Sequence, residues 1–217
     1  ADNAIDLNSI SIIGAPANGA LTINGDGTVT YTHDGSETLS DNFSYTISDI
    51  SGAISNTATV NISVTALNDN PVAVDDVGNV NEGGAVTIDL AGNDIDLDNA
   101  IDLNSISIIG APANGALAIN GDGTVTYTHS GSETLSDTFT YTISDISGAI
   151  SNTATVNITV SAVNDAPTAV VDADSVNEGG SVIIDLAGND TDADNAIDLN
   201  SISIIGAPAN GALIING

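Results

Sequence analysis

The residues with the clearest capacity for chemistry are carboxylates at alternate positions in one short segment. Asp94, Asp96 and Asp98 lie between Asn93 and Asn99, and the same pattern returns at residues 189–195. Alternate acidic residues in a loop can direct several oxygens at one point, and Ca²⁺ takes six to eight oxygen ligands in flexible geometry. The segment is not an EF-hand, which needs glycine at its sixth position, where this chain has Asn99. Both a calcium site and a solvated acidic turn fit the pattern.

The chain has no basic side chain of its own to neutralise these carboxylates. It carries 29 Asp and Glu residues, no Lys and no Arg, for a formal net charge of -29 over 217 residues. Two carboxylates about 4 Å apart repel by roughly 4 kcal/mol at an effective dielectric constant of 20. Metal cations are therefore the expected partners of any carboxylate cluster. The same charge argues against nucleic acid and anionic membrane as partners, because both are bound through Lys and Arg.

The acidic segment is part of a long sequence repeat. Residues 2–8 recur at 98–104 and again at 194–200, which sets a period of 96 residues, and 59 of the first 66 residues are identical one period later. The polar segment 67–71 recurs at 163–167, and both copies contain proline, as linkers often do. We therefore predict three parts: residues 1–67 as the later part of one repeat, residues 68–163 as a complete repeat, and residues 164–217 as the first part of the next.

The two ends of the sequence overlap in the repeat pattern. Residues 193–217 match residues 1–25 except for Thr22 against Ile214. We expect the sequence to be a window on a longer continuous array, with strand complementation between copies as the alternative. Either partial repeat alone is expected to expose open sheet edges.

Side-chain patterns within the complete repeat predict an all-β fold. The predicted strands lie around Val80 and at residues 85–90, 105–108, 116–119, 124–129, 139–143 and 153–160. The turn sequence of residues 120–123, Asn-Gly-Asp-Gly, predicts a hairpin between the two strands that flank it. Phe139, Tyr141 and Ile143 alternate with polar residues and predict an inward-facing row. About seven short strands per repeat indicate a β-sandwich.

The sequence lacks the usual catalytic constellations. His33 and His129 occupy one position in two copies, and a solitary histidine is a poor transition-metal site, so we expect both to be structural and on the surface. There is no Lys to act as base or Schiff-base nucleophile, and no Ser in a Gly-x-Ser-x-Gly setting. Paired carboxylates occur in glycoside hydrolases, but here the same carboxylate positions recur in each acidic loop and the chain has no Trp to stack on a sugar. We predict that the protein is not an enzyme.

The order of several motifs along the repeat resembles a cadherin repeat, and resembles still more closely the cadherin-like tandem repeats of giant bacterial surface adhesins. The motifs are, in order, Asn68-Asp69-Asn70-Pro71, Val80-Asn81-Glu82, Asp94-Ile95-Asp96, Asn99-Ala100-Ile101, Tyr141-Thr142-Ile143-Ser144-Asp145 with Gly148, and Val163-Asn164-Asp165. The similarity covers the full period. It implies tandem cadherin-like (Ig-like) Greek-key β-sandwiches in an elongated array, with calcium at the joints between them.

The resemblance also implies specific ligands. At the joint near Asp165 they are Glu82, Asn164, Asp165, Asp190 and Asp192. At the joint near Asp69 they are Asn68, Asp69, Asn70, Asp94, Asp96 and Asp145. Asp49 and Glu178 are the equivalents of Asp145 and Glu82 in the neighbouring repeats, and Asp76, Asp98, Asn99 and Asp102 are either ligands or turn residues.

The chain departs from the cadherin pattern in several places. The linker Asp that cadherins carry two positions before the first Asn is Ala66 or Ala162, and the final linker Asn is Ala166 in the second copy. The Leu-Asp-Arg-Glu motif is missing, with Glu133 or Asp137 as a loose substitute. We therefore expect fewer ions per joint than the three of cadherins.

These features predict a calcium-rigidified extracellular repeat array, acting as the stalk of a bacterial surface adhesin or as the body of an extracellular filament. The alternative is a recognition module that binds sugar, ice or another cell through its own faces. The expected partners are neighbouring repeats of the same chain, head-to-tail copies, and cell-surface or matrix components. No apolar run is long enough to span a bilayer, so no membrane insertion is expected within this segment.

Overall fold

The computed structural model describes residues 4–216, and these residues are almost entirely β-strand and loop. The first partial repeat contains β1 to β5, and the complete repeat contains β6 to β12. In chain order the strands are β1 (Ile5–Gly14), β2 (Gly19–Ile23), β3 (Val29–His33), β4 (Ser40–Asp49), β5 (Ala58–Ser63), β6 (Asp76–Asn81), β7 (Ala85–Asp89), β8 (Ile101–Gly110), β9 (Gly115–Ile119), β10 (Thr124–His129), β11 (Ser136–Asp145) and β12 (Ala154–Ser161), followed by a short 3₁₀ helix at Leu199–Ser201.

The complete repeat is a sandwich of two sheets. One sheet has the order β6-β12-β11-β8 and the other has the order β7-β10-β9. The predicted hairpin is confirmed, because β9 and β10 pair antiparallel from Ile119 opposite Val125 to Gly115 opposite His129. The turn between them depends on Gly121 and Gly123, whose φ angles of 77° and 86° are open to glycine but strained for other residues. The predicted count of about seven strands is also confirmed.

The core of the sandwich is built from alternate residues of its strands, as the sequence pattern predicts. Phe139, Tyr141 and Ile143 of β11 are almost wholly buried. In the neighbouring strand of the same sheet, the apolar residues of β12 are also buried. The second sheet contributes the buried residues Ile88 of β7 and Val125 and Tyr127 of β10. The two sheets approach closely at Gly78, where an added Cβ would lie 2.7 Å from Ile88 Cδ1 and 2.9 Å from Ile158 Cδ1.

One expectation about the histidines is wrong. His129 is structural, as expected, but it is buried rather than on the surface. Its Nδ1 accepts hydrogen bonds from the backbone N–H groups of Gly83 and Gly131, and its Nε2 lies 3.1 Å from Thr134 Oγ1. The reason is strand parity, because His129 follows Val125 and Tyr127 on the inward side of β10.

The two partial repeats bury little of their apolar surface. Within β1 to β5, where sheets of order β1-β4-β5 and β2-β3 form, only Asp41 and Phe43 are buried among the described residues. The described residues from 164 onward form no strand, and Val171 and Ile183 are largely exposed. In the complete repeat the corresponding segments are held by β10, β11 and β12, which have no counterparts in residues 164–216.

The chain separates into two compact units that do not coincide with the sequence repeats. One unit contains the described residues up to Val72, together with Asp94–Asp102 and Ser144–Ser151. The other contains Ala73–Asn93, Leu103–Ile143 and the described residues from Asn152 onward. Each unit contains one cluster of carboxylates and amides around a linker.

Candidate metal sites

The first cluster lies around the linker that precedes β6, in the unit that contains the first partial repeat. It consists of Glu37, Asn68, Asp69, Asp96, Asp98, Asn99 and Asp145. Asn68 Nδ2 donates to Asp145 Oδ2 at 2.7 Å, and Asn68 Oδ1 accepts from Asn99 Nδ2. The backbone N–H of Asp69 donates to Asp98 Oδ1 at 3.4 Å. The linker residues are thereby tied to two separate loops.

Local backbone hydrogen bonds hold the carboxylates of this cluster in place. Asp145 ends β11 with 2% of its surface exposed, and its Oδ1 accepts from the N–H groups of Ser147 and Ala149 at 2.9 and 2.8 Å. Burial opposes ionisation of Asp145, but the hydrogen bonds from Asn68 and the loop backbone outweigh it and lower the pKa. Asp96 Oδ1 accepts from the N–H of Asn99 at 2.7 Å, which closes the acidic loop. Asp49 repeats the arrangement of Asp145 one period earlier.

Other carboxylates of the first cluster repel one another. Desolvation raises the pKa of Glu37, and the charges of Asp69 and Asp98 raise it further. Desolvation also raises the pKa of Asp98, together with its contact with Asp96. Burial and the neighbouring negative charges thus both disfavour the ionised forms of these two carboxyl groups. A bound cation would supply that charge.

The second cluster surrounds the linker that follows β12 and lies in the other unit. It consists of Glu82, Glu133, Asn164, Asp165, Asp192, Asp194 and Asn195. Ligand oxygens of Glu82, Glu133 and Asp165 all lie within 4.8 Å of one another. Glu82 follows β6 directly, and its Oε2 accepts from Val163 N at 3.2 Å. Desolvation raises the pKa of Glu133, as do the charges of Glu82, Asp165 and Asp194.

The two clusters share one local design. Asn164 Oδ1 accepts from Asn195 Nδ2 at 2.7 Å, which repeats the contact between Asn68 and Asn99. Asp192 Oδ1 accepts from the N–H of Asn195 at 2.7 Å, as Asp96 does from Asn99, and this bond lowers the pKa of Asp192. Desolvation raises the pKa of Asp194, the counterpart of Asp98. The same arrangement of hydrogen bonds therefore recurs with the sequence repeat.

The structure brings several of the proposed ligands together. Around the first linker these are Asn68, Asp69, Asp96, Asp98, Asn99 and Asp145, and around the second they are Glu82, Asn164, Asp165 and Asp192. Glu133, considered from the sequence only as a loose substitute, lies with Glu82 and Asp165. Its first-repeat counterpart Glu37 was missed, although the 96-residue period relates the two.

Other proposed ligands lie in different surroundings. Asp190 Oδ1 accepts from Val170 N at 2.7 Å, beside the bridge between Thr168 and Thr191, and is not among the three carboxylates that meet. Asp94 is largely buried next to the bridge between Val72 and Ile95. Asn70 and Glu178 are exposed, and Asp102 is half-buried in β8.

Asp76 and Asp137 face the interior of the sandwich. Asp76 starts β6, where its buried carboxylate accepts from Tyr141 Oη at 3.0 Å, so it is not a turn residue. Asp137 is buried in β11 and binds backbone N–H groups of residues 113, 114 and 138. Of the two suggested substitutes for the missing acidic motif, only Glu133 is in a cluster.

The chemistry of both clusters fits calcium. All the candidate ligand atoms are carboxylate or amide oxygens, which Ca²⁺ prefers. Neither cluster contains the sulfur or imidazole ligands that favour transition metals. In addition, Glu82 Oε1 and Asp96 Oδ2 are buried without a hydrogen-bond partner. Buried carboxylate oxygens are normally satisfied, and these two lie within the clusters.

Solved structures with similar folds include a cadherin. The crystal structure of Drosophila N-cadherin EC1-4 aligns with a TM-score of 0.54 and 16% identity, covering 78% of this chain and 45% of that one. The chain thus spans less than half of the N-cadherin structure, and the likeness concerns the fold alone. An endo-fucoidan hydrolase of glycoside hydrolase family 107 aligns with a TM-score of only 0.33 and 20% identity, covering 74% of this chain and 24% of that one. A comparison with curated proteins found no match.

Two family models match the chain. The bacterial cadherin-like domain matches residues 1–66 and 68–162, and a bacterial Ig domain matches residues 164–217. No helix among the described residues is long and apolar enough to cross a membrane. Since the first match covers well over half of the sequence and the fold agrees with it, the chain belongs to the bacterial cadherin-like domain family.

Proposed function

We propose that this chain is a calcium-rigidified extracellular repeat array that forms the stalk of a surface adhesin or the body of an extracellular filament. Cadherin-like and bacterial Ig domains suggest an extracellular adhesive or structural repeat. The observation that carries the finer proposal is the convergence of Glu82, Glu133 and Asp165 within 4.8 Å in a chain without Lys or Arg.

Calcium would be held by the carboxylates of the two clusters, of which Glu82, Glu133 and Asp165 already converge. Around the second linker these are Glu82, Glu133, Asp165 and the loop carboxylates Asp192 and Asp194. Around the first linker they are Glu37, Asp69, Asp96, Asp98 and Asp145. A bound ion would neutralise the mutual repulsion of these groups and connect each linker to the loops around it, which would restrict bending of the linker.

The proposal excludes catalysis as the main role. Cadherin-like and Ig-like families are typically non-enzymatic. His129 is enclosed by backbone donors and Thr134, so it is not available to a substrate. Near-identity of successive repeats suits a mechanical role, in which length matters more than an individual surface, and this favours a stalk or filament over a recognition module.

A calcium titration tests the proposal. Extracellular calcium modules bind at about 10⁻⁴ to 10⁻³ M, so 1 mM calcium is expected to stabilise the folded chain by on the order of 1 kcal/mol per site. We expect the circular-dichroism melting midpoint to rise with calcium and to fall with EDTA. Magnesium at equal concentration controls for ionic strength, since Mg²⁺ requires a smaller octahedral site.

A matched pair of variants locates the effect. Glu133→Gln is expected to weaken the calcium response, because it removes one of the three converging carboxylates. Asp122→Asn removes a charge from an exposed turn and should leave the response intact. A melting midpoint that is the same in calcium and in EDTA would refute calcium binding at these clusters.

A further inference from the structure

Two of the three converging carboxylates are carried by short connections that are far apart in the sequence. Glu82 starts the turn between β6 and β7, and Glu133 is in the loop between β10 and β11. Their ligand oxygens lie within 4.8 Å of each other and of Asp165. Like charges at this distance repel, and the chain has no Lys or Arg to offset them. Other contacts must therefore hold the turn and the loop together.

The side chain of His129 joins the turn to the loop. Its Nδ1 accepts hydrogen bonds from the N–H of Gly83 at 3.2 Å and from the N–H of Gly131 at 3.3 Å. Gly83 follows Glu82 directly in the sequence. Gly131 is two residues before Glu133. One nitrogen atom is thus shared between the turn that carries Glu82 and the loop that carries Glu133.

The other ring nitrogen fixes the tautomer that this sharing requires. Nε2 of His129 lies 3.1 Å from Thr134 Oγ1. Since Nδ1 accepts two hydrogen bonds, the ring proton is on Nε2, which donates it to the threonine hydroxyl. The main chain adds a further contact, because the N–H of His129 donates to Gly84 O at 2.9 Å. His129 is only 3% exposed, so water competes little for these hydrogen bonds.

The backbones of the turn and the loop are shaped for a shared acceptor. Gly83 and Gly131 have φ angles of 64° and 82°, which are open to glycine but strained for other residues. A Cβ added to either glycine would lie 4.0 Å from the Cα of the other. This close approach allows both N–H groups to reach the same nitrogen.

The first repeat shows which part of this arrangement is local. His33 Nδ1 accepts from the N–H of Gly35 at 3.2 Å, and its Nε2 lies 3.0 Å from Thr38 Oγ1. These contacts repeat those that His129 makes within its own loop. This sequence has no counterpart of Gly83 one period earlier, and His33 is half-buried where His129 is buried. The bond to Gly83 is therefore the one that joins the loop to a second element.

We propose that His129 is a positioning residue of the calcium site at the second linker, and that its Nδ1 holds Glu82 and Glu133 in place for the ion. This rests on the proposed function, which supplies the ion. His129 itself contributes no ligand atom, because both ring nitrogens are engaged in hydrogen bonds. Its effect is preorganisation, since ligands that are already held together lose less freedom when they bind.

Two replacements separate the hydrogen bonds of His129 from its packing. His129→Phe keeps a ring but has no nitrogen to accept from Gly83 and Gly131. His129→Asn has a smaller side chain, but its Oδ1 is bonded to Cγ, as Nδ1 of histidine is, and can accept from both N–H groups. If only the volume of the ring mattered, His129→Phe would be the milder change. The proposed role makes His129→Asn the milder one.

A calcium titration of the full chain, followed by NMR at single backbone amides, measures the effect. The amides of Glu133 and Asp165 report on the second cluster, and the amide of Asp69 reports on the first cluster in the same sample. We expect His129→Phe to weaken calcium binding at the second cluster about tenfold or more, as is typical for residues that orient metal ligands. His129→Asn should bind nearly as tightly as the wild type. The affinity at Asp69 should be the same in all three proteins.

Hydrogen exchange in EDTA provides a readout that does not depend on calcium. The amides of Gly83 and Gly131 should exchange slowly in the wild type and in His129→Asn, because the shared acceptor protects them. In His129→Phe they should exchange about as fast as the amide of Gly121, which lies in the exposed turn between β9 and β10.

The outcomes keep this inference and the proposed function apart. If the wild type binds calcium and His129→Phe binds it equally tightly, or His129→Asn binds it no better than His129→Phe, the positioning role alone is overturned. A wild type that shows no calcium binding at Glu133 and Asp165 would overturn both proposals. If His129→Phe fails to fold, exchange in the wild type still decides. Slow exchange at Gly83 and Gly131 supports the positioning role, and exchange as fast as that of Gly121 rejects it.

Discussion

Replacing Asp137 with asparagine should destabilise the complete repeat strongly, although it changes few atoms. Asp137 is 7% exposed. Its carboxylate accepts from Ala113 N and Thr138 N through Oδ1, at 3.0 and 2.9 Å, and from Asn114 N and Tyr127 Oη through Oδ2, at 2.8 and 3.0 Å. The asparagine amide has only one oxygen. Its NH₂ group would therefore face the two hydrogen-bond donors that one carboxylate oxygen of Asp137 now accepts from.

The expected loss follows from this geometry. A hydrogen bond to a charged acceptor contributes about 1.5–3 kcal/mol, and a buried donor left without an acceptor costs about 1–3 kcal/mol. A net loss of about 3 kcal/mol is therefore expected for Asp137→Asn. For a domain of this size that lowers the melting midpoint by on the order of 10–20 °C. Thermal unfolding of the full chain followed by circular dichroism measures the change.

The effect should depend on pH in a defined direction. Burial opposes ionisation of Asp137, but the hydrogen bonds from Asn114, Ala113 and Thr138 outweigh it and lower the pKa in the folded state. The stabilisation is therefore present above the unfolded pKa of about 4 and is lost as the pH falls through the lower folded value. The difference between the wild type and Asp137→Asn should be constant between pH 5 and 7 and should shrink below pH 4.

A second aspartate provides the control. Asp122 also accepts from a backbone N–H and a threonine hydroxyl, and these bonds lower its pKa, but it lies in an exposed turn. Asp122→Asn should change the melting midpoint far less. If Asp137→Asn melts together with the wild type, or if the difference persists unchanged at pH 3, the argument from buried charge-assisted hydrogen bonds is refuted.

Two further predictions concern packing. Phe139→Ala should lower the free energy of unfolding measured in urea by about 3–5 kcal/mol, because the Phe139 side chain is 1% exposed. Leu135 is 63% exposed, and Leu135→Ala should change that free energy little. Gly115→Ala should lower the free energy of unfolding by about 1–3 kcal/mol, because the added methyl group would press on the ring of Tyr127 and lie 2.7 Å from Thr128 O. Stability near that of the wild type would show that the hairpin can shift to make room.

Strand alternation in the sequence was enough to predict the sandwich and its inward rows. The same alternation extends to two polar residues. Asp137 has the same parity as Phe139 and Tyr141, and His129 has the same parity as Tyr127, so both could have been assigned to the interior. The general tendency of polar residues to be exposed predicts a surface position for His129 and is misleading here. The position of each residue in its strand determines that it is buried here, since backbone N–H donors near each strand satisfy the buried polar groups.

The carboxylate clusters were only partly predictable. The linker and acidic-loop residues follow from the repeated motifs, but which loops approach each linker is a matter of tertiary structure. Glu133 lies in the loop between β10 and β11, and nothing in its local sequence indicates that it meets Glu82 and Asp165. Asp190, by contrast, belongs to the acidic motif but binds the backbone of Val170.

The pairing of the first strand of the sandwich, β6, with the last, β12, determines when a repeat can fold. Asp76 and Val156 are neighbours in space but lie 80 residues apart in sequence. At roughly 5–20 residues per second of synthesis, β12 becomes available several seconds after β6. Such non-local pairing loses loop-closure entropy before the contacts that compensate the loss have formed. It therefore belongs to the slower class of folding reactions. Each sandwich can be completed only after its last strand has emerged, so the repeats of a growing array become able to fold in the order of synthesis.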